Sequence, residues 1–245
     1  MLGEYAQRFP TVEVDDTFYG IPPEPVVRLW RDSVPAGFSF ALKAPQQVTH
    51  EQRFAGPGGL LKRFLERISI LEEKLGPVLL LAPIGFESND ANRAALRVFV
   101  NTLPSGFLWA LELRHAGWFT EDISDMFRSK NVAMVIGENR WVSRSSVLKL
   151  MNEPTADFAY IRWASRSQTV LSAERSASNG HVSTKWGEML EGLSSFVKTA
   201  YGYFNINADG NGLRSAEELQ RTIGQQWLEA SVSGDAAASV DRDAF

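Results

Sequence analysis

Short β-rich runs alternate with longer helical patterns along almost the whole chain, and this alternation limits the fold more than any other feature. The runs are TVEVD (11–15), FSFALK (38–43), PVLLLA (77–82), LWALEL (108–113), NVAMVI (131–136), FAYIRW (158–163) and AYGYFN (200–205). Between them lie segments such as GGLLKRFLERISILEEKLG, where Leu61, Phe64, Leu65, Ile68 and Leu75 recur at helical spacing. Residues 89–103 repeat the pattern with Leu96, Phe99 and Val100. Ser215 and Glu218 form a capping box that predicts a last helix over 216–228. Such alternation points to a parallel sheet with helices on its faces, either an open doubly wound sheet or a (β/α) barrel.

The faces of the strands favour the barrel. Side chains alternate sides along a strand. Thr11, Glu13 and Asp15 oppose Val12 and Val14. Ser39, Ala41 and Lys43 oppose Phe38, Phe40 and Leu42. Ala110, Glu112 and then Arg114 oppose Leu111 and Leu113. Tyr160 and Arg162 oppose Ile161 and Trp163, and Tyr201, Tyr203 and Asn205 share a side. Each strand thus has an apolar side for helices and another side that turns polar toward its C-terminal end. A sheet covered on both faces has no use for that pattern, whereas a barrel gathers its site at the C-terminal strand ends. The first βα turn also lacks the Gly-rich phosphate loop of the open dinucleotide-binding sheet.

Composition excludes several chemistries. The chain has 245 residues, 44% hydrophobic and 22% charged, which suits an ordinary globular protein. It has no cysteine, so disulfides, thiolate metal sites and cysteine nucleophiles are ruled out. The net charge of −4 gives no basic surplus, so nucleic acid is not supported as a partner. MLGEYAQRFP is not built as a signal peptide, and no apolar run reaches the ~18 residues of a membrane span. A cytoplasmic protein off the membrane is the expectation. Residues 229–245, rich in Ala, Ser and Asp, read as a disordered tail after one domain over 1–228.

TVEVDDTFYGIP, FSFALKAPQQVTH, LELRHAGWF, AYIRW and YGYFN, in this order, resemble the YecE-like domain-of-unknown-function family, number seventy-two in that series. The resemblance covers about residues 1–228 and implies a TIM-type (β/α) barrel with a polar cavity at its C-terminal mouth. It implies no activity. Family members usually open with a Gly- and Trp-containing strand before the helix that leads into TVEV, and this chain starts at that helix. About seven strands are therefore expected, with the family's first one lacking. The family's glutamine before its proline pair is Leu81 here, and the pair itself is Pro83–Ile84. An aspartate after the sixth strand is replaced around Gly137–Glu138, and paired asparagines read Asn205–Ile206.

The candidate site follows from the polar strand ends. Glu13 and Glu112 are candidates for acid–base or metal work, and His115 for assisting proton transfer. Lys43, Arg114 and Arg162 are candidates for holding an anionic group. The alternative for these cations is simply to neutralise Glu13, Asp15 and Glu112. Tyr19, Trp118 and Asn205 complete the candidate substrate contacts, although aromatic residues more often belong to the core. His50 also follows a strand, and a lone histidine is more often structural. A divalent metal is a candidate cofactor and no organic cofactor is expected; no HxH or HxxxH spacing marks a zinc site. Gly56–Gly59 lacks the phosphate-loop spacing, and NINADGNGLRSAEE fails as a calcium loop because its twelfth position is Ala216. Two readings stand side by side: a hydrolase or lyase for a small anionic substrate, with phosphoesters among the candidates, and a barrel that binds a ligand or partner without chemistry. Oligomeric state is not legible.

Overall fold

The computed structural model describes residues 2–56, 58–138, 142–163, 180–204 and 211–233. The described chain divides into two compact units, Met1–Val135 and Ile136–Phe245. Among the described residues all strand pairing is parallel, in two sheets.

The first unit carries five strands that pair in sequence order: β1 (Thr11–Val14), β2 (Ser39–Lys43), β3 (Leu75–Leu81), β4 (Trp109–Glu112) and β5 (Val132–Met134). Helices α1 (Leu2–Tyr5), α2 (Glu24–Asp32), α3 (Gly58–Ile68), α4 (Asp90–Thr102) and α5 (Glu121–Arg128) precede or connect them. The run PVLLLA is apolar throughout because β3 is covered on both sides, with Val78, Leu79 and Leu80 fully buried. Helix α4 starts where expected: Asn89 caps it by accepting the amide of Asn92 at 2.9 Å, and Leu96, Phe99 and Val100 turn to the core. Helix α1 is tied to β1 by the Tyr5 hydroxyl, which donates to the Thr11 carbonyl at 3.1 Å.

In the second unit, β6 (Ile136–Glu138), β7 (Phe158–Trp163) and β8 (Thr199–Phe204) pair in order, with α6 (Arg144–Asn152), α7 (Gly180–Ser194) and α8 (Asn211–Ser233). Helix α6 is capped by Ser143, whose hydroxyl accepts the Ser146 amide at 3.1 Å. Tyr160 pairs with Tyr201 and Arg162 with Tyr203 on one side of this sheet. On the other side Trp163 stacks on Phe204 at 4.3 Å and meets Trp186 of α7 edge-on at 5.1 Å, the helix-facing role its position predicts. Gly202 makes room for that indole, since a Cβ there would lie 2.6 Å from the Trp163 ring.

Several expectations need correction. The run NVAMVI is not one strand: the chain leaves the first sheet at Val135, whose amide still donates to Leu111, and Ile136 opens a strand of the second sheet. Among the described residues the division gives eight strands, not seven. The helical pattern across 58–76 ends early. Helix α3 stops at Ile68, two 3-10 turns follow, and Glu72 (φ 56°) reverses the chain so that Leu75 begins β3. The last helix begins at Asn211 and not after Ser215, because a capping-box pattern marks one local solution and nothing in Gly212–Arg214 stops the helix from extending upstream. The same helix continues to Ser233, into the segment read as tail; Glu229 and Ala230 are good helix formers.

Candidate functional site

Strand register places the polar groups of the first sheet on one side. Glu13 pairs with Ala41, Lys43 with Leu79, Leu79 with Ala110, Ala110 with Ala133, and Leu81 with Glu112. Paired residues on parallel strands point the same way. One face therefore carries Glu13, Lys43 and Glu112 among alanines and leucines, with the charges at or near the C-terminal ends. The opposite face, with Phe40, Leu42, Leu80 and Leu111, is apolar and buried.

Each cation on this face has carboxylate partners. Lys43 is only 8% exposed. Its ammonium lies 3.8 Å from Glu13 and makes a direct hydrogen bond to Asp15, which is 60% exposed. Thr17 ties the two strand ends together, with its hydroxyl 2.7 Å from the Lys43 carbonyl. Glu112 is 5% exposed and accepts from Arg114 Nε at 3.2 Å. Arg114 is two residues beyond β4, and its side chain reaches partway into solvent. Glu13 stands on β1 and Glu112 on β4, with β2 and β3 between them. Three strand spacings of about 4.8 Å separate them, on the order of 14 Å along the sheet.

The loops above this face are joined in series. Phe18, from the loop after β1, meets the His50 ring edge-on at 5.1 Å and lies under the Lys43 ammonium at 5.8 Å. Arg53, from the loop after β2, donates to the Gly85 carbonyl at 3.1 Å. Phe86, after β3, stacks on Trp118, after β4, at 5.1 Å. Trp118 is fully buried and donates its indole N–H to the Phe86 carbonyl at 2.7 Å, with the Arg93 guanidinium 5.9 Å from its ring. Both faces of this ring are occupied by the protein itself. Tyr19, by contrast, is 71% exposed.

His115 caps the short 3-10 turn Ala116–Trp118, with Nδ1 accepting the Gly117 amide at 3.2 Å. That bond requires a bare Nδ1, so the neutral ring carries its proton on Nε2. A Cβ on Gly117 would lie 3.1 Å from the same nitrogen, so a larger residue there would press on the His115 ring. Arg162 sits on β7 beside Gly137 and Tyr203, in the second unit. Asn205 and the first half of the calcium-like stretch, 205–210, lie outside the described residues, and from Asn211 that stretch belongs to α8. Among the described residues, no group of three or more His, Asp or Glu side chains is gathered to hold a metal ion.

His50 carries more than its isolation in the sequence suggested. It lies in a π-helical turn, Gln47–Glu51, directly after β2. Partial burial, and then the positive charge of Arg114, lower its pKa from the usual 6.5. π-Turns inside helices are often found at functional sites. The only sequence signal for this residue is a histidine seven positions beyond the inward lysine of β2.

These motifs have a family match. A family profile described as "Protein of unknown function DUF72" matches residues 1–238. The chain belongs to the DUF72 family. It is 32% identical to UPF0759 protein YecE of Escherichia coli K12 over 120 residues, 49% of this chain and 43% of that protein. The match therefore spans less than half the length of the YecE relatives. UPF0759 protein YunF of Bacillus subtilis 168 is 22% identical over 98% of this chain and 90% of its own. A solved DUF72 structure from Enterococcus faecalis V583 superposes with a TM-score of 0.74 at 21% identity, covering 91% of this chain and 88% of the other. Another, from Thermotoga maritima MSB8, has a TM-score of 0.72 at 24% identity over 88% and 85%. These likenesses establish an α/β fold with parallel sheets shared with DUF72 structures. Among the described residues no helix is long and apolar enough to cross a membrane.

Proposed function

We propose that this DUF72 chain is a TIM-type barrel enzyme, a hydrolase or lyase that acts on a small anionic substrate at the C-terminal strand ends. Eight parallel strands in two sequential sets, separated by helices at nearly every step, support the barrel over 1–228. The observation that carries the function is the ion pair between the buried Glu112 and the partly exposed Arg114 at the end of β4, on the face that also carries Glu13 and Lys43. A buried ion pair is a poor source of stability, because desolvation offsets its Coulomb energy. Its place where barrels hold their sites gives it a better use. Glu112 supplies the acid–base group, and the partly exposed Arg114 holds the anion. Lys43 and Glu13 form the second charged group of the same face, His115 presents Nε2–H from the β4 loop, and Tyr19 offers an exposed ring. The barrel reading brings Arg162 and Asn205 with it as further substrate contacts. A cytoplasmic location accords with this reading.

The experiment is a turnover screen with aryl phosphate monoesters and diesters, on wild-type protein and on Glu112→Gln. Wild-type turnover should fall by about 100-fold or more in the variant, the scale of losing a general acid or base, with the melting temperature kept. An active substrate on which Glu112→Gln is as fast as wild type sinks the assignment.

A second reading, ligand binding without chemistry, draws on the charge balance. Lys43 and Arg114 face three carboxylates, Glu13, Asp15 and Glu112, and so have little charge to spare. Thermal shifts with phosphate or carboxylate ligands, with no turnover in any assay, would favour it.

A further inference from the structure

We propose that His50 is a further substrate-contacting residue of this site, a neutral imidazole that donates its Nε2–H to the substrate oxygen that gains negative charge beside Arg114. The inference rests on the reading of Arg114 as the anion-holding group.

The argument begins with hydrogen-bond economy. Thr49 is fully buried, and its hydroxyl has one hydrogen-bond partner among the described residues, His50 Nδ1 at 2.9 Å. A buried hydroxyl hydrogen without an acceptor is costly, so the hydroxyl donates and Nδ1 accepts. The neutral ring is thereby fixed with its proton on Nε2. No protein group accepts that proton among the described residues, and the ring is only half-buried. A donor of fixed tautomer is thus left open to a ligand.

The surroundings keep the ring uncharged. Phe18 packs against it in a T-shaped contact from the β1 loop, and Arg114 is the charged group that acts on it from the β4 loop. Burial and that charge both disfavour the imidazolium. Protonation would also reverse the Thr49 bond, since Nδ1 would become a donor, and leave the buried hydroxyl hydrogen without an acceptor. A neutral N–H within the field of a guanidinium suits an oxygen on which charge develops, because both are donors fixed before the reaction. The class of group recognised is an anionic or polarised oxygen: phosphoryl, carboxylate or carbonyl.

The test uses the full chain, labelled with ¹⁵N at histidine and arginine, titrated with inorganic phosphate at neutral pH. Two-bond ¹H–¹⁵N correlations should show His50 neutral with its proton on Nε2, and phosphate should shift that Nε2–H together with Arg114 Nε–H. Thr49→Val should move the ring toward the Nδ1–H tautomer. His50→Leu should weaken phosphate about fivefold to tenfold, while His50→Gln, which keeps an N–H donor, should stay within about twofold. If phosphate moves Arg114 but not His50, or if the Leu and Gln variants bind alike, the His50 assignment is overturned and the Arg114 reading stands. If phosphate moves neither residue, both fail. Affinity that rises as pH falls through the ionisation of His50, with His50→Gln as weak as His50→Leu, would mean an imidazolium and would also overturn the proposal.

Discussion

Trp118 donates its indole N–H to the Phe86 carbonyl at 2.7 Å, and the two rings stack 5.1 Å apart. The contact links the β3 loop to the β4 loop that carries Arg114 and His115. An aromatic residue in a site loop invites a reading as a stacking platform, but here the protein already covers the ring. Trp118→Phe should keep most of the packing and leave the buried Phe86 carbonyl unpaired. The expected cost is about 1–3 kcal/mol of stability, measured by urea unfolding. Phosphate binding at Arg114 should change little. A variant of full stability that has lost the ligand would restore the platform reading.

Lys43 has Glu13 and Asp15 as partners, and only Asp15 is well exposed. Lys43→Met therefore takes a nearby cation from the half-buried Glu13, while Asp15 turns to water. Breaking a buried pair from one side costs about 3 kcal/mol or somewhat more. Glu13→Gln added to Lys43→Met should recover a good part of that loss, since it removes the stranded charge. Chemical denaturation of both variants checks this. Equal stability of the single and double variants would mean that Glu13 is compensated by other groups.

The strand pattern made much of this legible. Alternation alone put Glu13, Lys43 and Glu112 on a common face, because a period of two leaves no freedom once one side is buried. Nothing local announced that NVAMVI is divided between two sheets: from Val132 onward all its side chains are apolar and suit either partner. The end of α3 was hidden for a similar reason. Leu71 and Leu75 continue a helical spacing, and only the left-handed Glu72 shows that the chain turns between them. Alternation within each strand does not tell how far Glu13 stands from Glu112; strand order puts β2 and β3 between them. His50 was hardest to see. Its significance comes from Phe18, Thr49 and Arg114, which reach it from different loops or through a turn that no sequence period encodes.

The lowered pKa of His50 makes stability pH-dependent in a definite direction. The unfolded chain binds a proton near pH 6.5, and the folded chain resists doing so until lower pH. Over that window the unfolded state carries more protons, so stability rises with pH and falls as the solution is acidified. His50→Gln removes this contribution. The wild type should lose ground to the variant as pH drops below about 6.5, and the two curves should run parallel above it. The ring is partly exposed, so solvent screening keeps the gap small. Urea midpoints across this range test it. A gap that widens toward alkaline pH would give the shift the opposite sign.

Gln47 opens the same π-turn, and its side-chain oxygen is buried without a hydrogen-bond partner among the described residues. An unpaired buried acceptor costs about 1–3 kcal/mol. Methionine has nearly the same length and no such demand. Gln47→Met should therefore stabilise the protein, by an amount up to that cost, if the turn holds its shape. The same substitution removes an acceptor three residues from His50, so phosphate titration should accompany the urea curves. Higher stability with unchanged phosphate affinity would make the oxygen a purely structural burden. Higher stability with weaker binding would make it an acceptor reserved for a donor on the ligand. Lower stability would show that the oxygen is paired in solution.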